Sequence, residues 1–122
     1  MHFCAALLIS AILNAPWRSL MHAAVLLGLV GLVGVVYIVR VMLRAKRLTV
    51  YIPDFEDWTW YTMLPFFAYG AIFAGAIALP AAPVPALFAL AGGVVLLIFI
   101  GIRNAWDVVT YITIGGSDQP PE

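Results

Sequence analysis

The polar residues that could do chemistry stand in two short segments of an otherwise apolar chain. Both segments contain carboxylates, and the second adds an arginine and an amide. The candidate residues are Asp54, Glu56, Asp57, Arg103, Asn104 and Asp107. Carboxylates held beside other ionisable groups can move protons in a reaction. A reactive site of this kind would require the two segments to lie side by side.

The same residues also have roles in helix structure that need no reaction. Asp54 has Asp57 three residues further on, which is the spacing of a capping box with a second aspartate in place of the usual glutamate. Glu56 and Asp57 lie where the positive end of a helix dipole favours anions. Arg103 and Asp107 are four residues apart and can pair on one face of a helix. We prefer this structural interpretation because it accounts for every charge with fewer assumptions.

Histidine, cysteine and serine give little support for a cofactor or a nucleophile. His2 and His22 could come from two helices to hold a haem, but both lie at predicted helix ends. A metal site would need more ligands than these two histidines and Cys4. Ser10 and Ser19 have no histidine placed to activate them. The sequence therefore predicts no cofactor, no metal and no enzymatic activity.

The composition places the chain in a lipid bilayer. Hydrophobic residues make up 65% of it and charged residues 10%, whereas a soluble domain has roughly 25% charged residues. A soluble domain of 122 residues has too little interior to bury so much apolar surface. The formal net charge is zero, so the basic surface typical of nucleic-acid binding is absent. We predict a single transmembrane domain over residues 1–122, with no nucleic-acid partner.

Charged segments and one proline-rich segment divide the apolar sequence into helices. A span needs about 20 apolar residues, and the three prolines within residues 80–85 cannot continue a helix. The prediction is an all-α, integral membrane four-helix bundle with helices near residues 2–16, 20–43, 55–79 and 84–114. Residues 117–122, with two prolines and two acids, are predicted to be a frayed tail.

The first helix is the shortest of the four. No lysine or arginine precedes it, and Leu13-Asn14-Ala15 is followed by Pro16, a poor residue after a signal-peptidase cleavage point. We therefore interpret the segment as a retained helix and not as a signal peptide. Two alternatives remain open: a short or tilted first span, or a sequence whose start is truncated.

Small residues and one proline predict how the helices meet. Ala24, Gly28 and Gly31 share one face of the second helix and would let another helix approach closely. We prefer packing inside the bundle to the alternative, a contact with a second copy or a partner protein. Gly34 is expected to lie off this face. Pro65 leaves the carbonyl of Tyr61 without its usual donor and predicts a kink in the third helix.

The basic residues predict the orientation. Four of them end the second helix, so the loop that follows and both termini are expected in the cytoplasm: Arg40, Arg44, Lys46 and Arg47. Binding of anionic lipid or a partner is an alternative role for these cations. A compact bundle would also bring Glu56 or Asp57 close to Arg103, with Trp58 and Trp106 beside them.

Two segments carry a resemblance. They are FEDWTWYTMLPFFAY at residues 55–69 and FIGIRNAWDVVTY at residues 99–111. They resemble a group of small bacterial multispan membrane proteins that share an E-D-W segment at the start of one helix and an N-A-W-D-x-V-T-Y segment at the end of the last. The resemblance covers the second to fourth helices. It implies a protein of the bacterial inner membrane and no particular reaction.

Three classes of function follow from these features. The preferred class is a non-catalytic subunit, assembly factor or interaction protein. The second is a small oligomeric transporter or channel, although no Asp, Glu or Lys stands in the middle of a predicted span to couple transport to an ion. The third is a membrane enzyme or redox subunit that uses the two polar segments or the histidines.

Overall fold

Four helices make up the part of the chain that the structure describes. The structure is a computed structural model, and it describes residues 1–47 and 55–115. Helix α1 is His2–Asn14, α2 is Leu20–Arg47, α3 is Phe55–Ala78 and α4 is Pro83–Gly115. The predicted all-α four-helix bundle is confirmed. Two predictions, the Asp54 cap and the frayed tail at 117–122, lie outside the described residues.

Three of these helices are long and apolar enough to cross a membrane, so this is a membrane protein. They are α2 with 28 residues, α3 with 24 and α4 with 33. Helix α1 has 13 residues, or about 20 Å at 1.5 Å per residue, and the hydrocarbon core is about 30 Å thick. Four spans were predicted, whereas three helices within residues 1–47 and 55–115 have the length for one.

Helix α1 is shorter than predicted because of Pro16. A proline disfavours the helical conformation in the residue before it, and Ala15 has the extended angles φ −71° and ψ 144°. The start of α1 lies against α4, with the Phe3 ring 3.0 Å from where a Cβ on Gly101 would be. Because α1 begins at the level of Gly101, it covers only part of the length of α2 and α4.

Helix α2 packs on α3 through a seam whose buried residues alternate in steps of three and four. They are Ala24, Leu27, Gly31, Gly34 and Ile38, the spacing that keeps one stripe of a helix against a neighbour. A Cβ on Gly31 would lie 2.8 Å from the backbone nitrogen of Phe73, and one on Gly34 would overlap the Tyr69 ring. The glycines therefore let the α2 and α3 backbones approach closely.

The seam differs from the predicted face at two positions. Ala24 and Gly31 lie in it, but Gly28 is half-buried at its edge, where an added Cβ would make an ordinary 3.8 Å contact with Ala76. Gly34, which was expected off the face, is buried within it. The predicted face steps by four and then three from Ala24, whereas the buried residues step by three and then four, at positions 24, 27, 31, 34 and 38.

Helix α3 contains a π-helical turn where the sequence predicts an irregularity. The turn is Thr59–Met63, and the N–H of Leu64 bonds to the carbonyl of Thr59, five residues back. Pro65 follows at once and is buried. Because Pro65 has no N–H to give the Tyr61 carbonyl, the α-helical ladder is interrupted here. The kink at Pro65 remains a prediction, and the structure places a widened turn immediately before it.

Candidate functional site

The two polar segments meet at one end of the bundle, between the start of α3 and the later part of α4. Arg103 Nη2 donates to Glu56 Oε1 at 2.9 Å, and Arg103 Nε lies 3.5 Å from Asp107 Oδ1. The Tyr61 hydroxyl donates to Asp107 Oδ2 at 3.0 Å. The Arg103 guanidinium also lies 5.6 Å from the centroid of the Trp60 ring. We call these five residues the polar cap.

The local sequence explains this arrangement. Arg103 and Asp107 are one helical turn apart on α4, so they share a face. Glu56 is in the first turn of α3, where the helix dipole favours an anion. Trp60 follows Glu56 by four residues and therefore lies on the same side of α3. Trp58, which was expected beside Arg103, is two residues from Glu56 and points to a different side of the helix.

Five of the six predicted polar residues lie in the described part of the chain, where they divide into separate groups; Asp54 lies outside it. Glu56, Arg103 and Asp107 come together in the polar cap, and Asp57 lies beside them in sequence in the first turn of α3. Asn104 does not join them. It lines a cleft of about 450 Å³ between the start of α1 and α4, together with His2 and Phe3. The sequence analysis did not identify Tyr61 and Trp60 as members of this site. Their spacing was the signal, because they follow Glu56 by five and four residues, about one helical turn.

Asn104 has an unsatisfied polar atom in that cleft. Its side-chain oxygen Oδ1 is buried and has no hydrogen-bond partner among the described residues. His2, on the other side of the cleft, shares a hydrogen bond of 3.2 Å through Nδ1 with the Tyr69 hydroxyl. Tyr69 is only 1% exposed, so this bond satisfies a hydroxyl group inside an apolar bundle. His2 thus has a structural partner that the sequence did not indicate.

The histidines do not form a haem or metal site with each other. His2 lies at the start of α1, whereas His22 lies in the first turn of α2, beyond the other end of α1. No group of three His, Cys, Asp or Glu side chains that could hold a metal ion occurs within residues 1–47 and 55–115. Cys4 is exposed and unpaired there.

The ion pair in the polar cap is too exposed to contribute much stability. The side chains of Arg103 and Glu56 are 41% and 69% exposed, and exposed pairs contribute about 0–1 kcal/mol. We therefore expect Glu56→Gln to lower the free energy of unfolding in detergent by less than about 1 kcal/mol. A loss several times larger in equilibrium unfolding would show that the pair is shielded from solvent, contrary to this geometry.

Comparisons with protein-family models, with curated proteins and with solved structures found no match to this chain.

Proposed function

We propose that this is a non-catalytic interaction protein of the bacterial inner membrane, a subunit or an assembly factor, and that it binds its partner through the end of α4. The observation that carries the proposal is a group of exposed apolar side chains that begins within the polar cap and continues beyond it to the end of α4. Its members are exposed by 56–81% and lie on the last turns of α4: Trp106, Val108, Val109, Tyr111, Ile112 and Ile114. We call them the α4 end surface.

The polar cap indicates where the bilayer ends along α4. Charged side chains are costly in hydrocarbon, so Arg103, Glu56 and Asp107 belong at the level of the lipid headgroups. From Asp107 to Gly115 the helix continues for eight residues, which is about 12 Å. A headgroup layer is only about 5–8 Å thick on each side. The apolar side chains near Gly115 would then meet water unless another protein covers them.

Hydrogen bonds within the helix make this end less polar still. Thr110 Oγ1 donates to the carbonyl of Trp106 at 2.6 Å, and Thr113 Oγ1 donates to that of Val109 at 2.7 Å. Both hydroxyls are thereby used by the helix itself. Trp106 and Tyr111 are of the residue types that most often anchor protein–protein contacts. The surface suits an apolar groove on another protein at the cytoplasmic face.

The other two classes of function have less support. Small-residue faces could support an oligomeric channel, but the space beside Gly31, Gly34 and Gly93 is occupied by neighbouring helices of the same chain. An enzyme was argued from the carboxylates. Asp107 is engaged by both Arg103 and Tyr61, and Glu56 by Arg103, which favours a structural role for them.

The proposal is tested by the size of the complex solubilised from the native membrane in a mild detergent. We expect Val109→Ser with Ile112→Ser to release a smaller, monodisperse particle, because the contact loses two apolar side chains. The matched control makes the same pair of changes fourteen residues earlier on α4, at Val95 and Ile98, which are 51% and 38% exposed. Equal particle sizes for the two double variants, or no complex in the wild type, would contradict the proposal.

The orientation gives a separate prediction. In a background of Cys4→Ala, single cysteines are placed at Lys46, at the end of α2, and at Ala81, in the turn between α3 and α4; both positions are exposed. A membrane-impermeant maleimide added to intact cells should label Ala81→Cys and spare Lys46→Cys, because basic ends remain in the cytoplasm. The reverse pattern would put the polar cap outside.

A further inference from the structure

We infer that α2 carries a binding site for an anionic phospholipid, with its acyl chain in a groove on the outer face of the helix and its phosphate on Arg40 and Arg44. The inference is independent of the α4 end surface, because it concerns a different helix and a different ligand. It starts from a groove of about 390 Å³ lined by Leu32, Val33, Val36, Tyr37 and Arg40.

The groove lies on the side of α2 that faces away from the bundle. Arg40 follows the buried seam residue Ile38 by two positions, which is about 200° round the helix. The apolar residues in the groove are exposed by 42–63%. A groove that is apolar, exposed and on the outside of a membrane helix is filled by a lipid chain, and among residues 1–47 and 55–115 only α2 itself lines this groove.

The cations continue the same face. Val33, Tyr37, Arg40, Arg44 and Arg47 follow one another in steps of four and three, so they form one stripe along α2. All three arginines are exposed. In the described part of the chain, the ion pairs join Arg103 to Glu56 and to Asp107, and none involves these three arginines. Their charge is therefore available to an anion.

The order of residues along the stripe matches the order of groups in a phospholipid. Apolar side chains come first, then the amphipathic Tyr37, then guanidinium groups that bind phosphate through paired N–H donors. Arginine can also extend from hydrocarbon depth to the headgroup level. Charge complementarity selects an anionic lipid over a zwitterionic one, since each cation near an anionic surface strengthens binding about fivefold.

A second groove supplies a place for the other acyl chain. It has a volume of about 340 Å³, lies between α1 and α2, and is lined by Leu8, Leu29 and again Val33. The two grooves meet at Val33, which is 63% exposed. A lipid with two acyl chains can therefore place one chain in each groove, on either side of Val33, with its phosphate toward Arg40.

The test is native mass spectrometry of the purified protein titrated with phosphatidylglycerol and with phosphatidylcholine. We expect phosphatidylglycerol to bind at least about tenfold more tightly, and Arg40→Gln with Arg44→Gln to remove most of this preference. The control Arg18→Gln with Lys46→Gln removes the same charge away from the stripe and should change the affinity by less than about threefold. No preference between the lipids, or equal losses in both double variants, would overturn the inference.

Two further measurements separate a lipid site from an anion site. Val33→Trp fills both grooves without a change of charge, and we expect it to weaken phosphatidylglycerol binding severalfold. Val25→Trp, at a position of similar exposure (55% against 63%) outside the grooves, should not. Soluble glycerol phosphate should not displace the bound lipid. Displacement by glycerol phosphate, or normal binding by Val33→Trp, would show that the arginines take an anion without the acyl groove and would overturn the inference.

Discussion

Gly34→Ala is expected to destabilise the protein more than any other single methyl addition to α2. The added Cβ would overlap the Tyr69 ring, and Tyr69 is 1% exposed and hydrogen-bonded to His2, so the ring or the α2 backbone must shift from its packed position. Overpacking of a tight interior costs about 1–3 kcal/mol and sometimes more. We expect a loss of that size in the free energy of unfolding, measured by equilibrium denaturation in detergent.

Gly28→Ala is the matched control on the same helix. Its Cβ would make only an ordinary 3.8 Å contact with Ala76, so the free energy of unfolding should change by less than about 0.5 kcal/mol. In a background of Tyr69→Ala, the cost of Gly34→Ala should largely disappear, because the clash is with that ring. Equal costs for Gly28→Ala and Gly34→Ala, or no coupling to Tyr69, would show that α2 meets α3 along another face.

Gly93→Ala is also expected to destabilise the protein strongly, at the contact between α3 and α4. Its Cβ would lie 2.7 Å from Ile72 Cγ1 and 3.0 Å from the carbonyl oxygen of Ala68. A backbone oxygen can move only if the whole of α3 shifts, so the helices must separate. We expect a loss of about 1–3 kcal/mol in the same unfolding measurement.

The adjacent glycine provides the control for this second change. Gly92 has nothing within 4 Å of an added Cβ, so Gly92→Ala should leave stability unchanged or raise it slightly through the higher helix propensity of alanine. If Gly92→Ala and Gly93→Ala changed the free energy of unfolding equally, Gly93 would not be needed for close packing against α3, and this account of the contact would be wrong.

The positions of the helices could be predicted because the signals for them are local. Charges and prolines interrupt the apolar runs, and α4, predicted near 84–114, is Pro83–Gly115. Helix α2 continues to Arg47, beyond the predicted residue 43, since nothing between these positions breaks a helix. The meeting of Glu56 with Arg103 could be predicted for the same reason: both stand at the polar ends of antiparallel neighbouring helices.

The details of packing could not be predicted because they depend on which side of each helix faces its neighbour. Ala24, Gly28 and Gly31 share a face in sequence, but only the rotation of α2 against α3 decides that Gly34 is buried and Gly28 is not. The same holds for His2, whose bond to Tyr69 depends on how far α1 reaches along the bundle. The heptad-like steps from Leu27 to Ile38 were the signal in the sequence that would have identified Gly34.

The most direct test of the proposed function is site-specific photocrosslinking in living cells. A photoreactive amino acid at Tyr111, in the α4 end surface, should crosslink to one different protein, whereas the same group at Phe88, which is 76% exposed on the apolar part of α4, should not. The crosslink at position 111 should vanish when Val109→Ser and Ile112→Ser are added. Crosslinks from position 111 only to lipid, or only to a second copy of this chain, would contradict the proposed role.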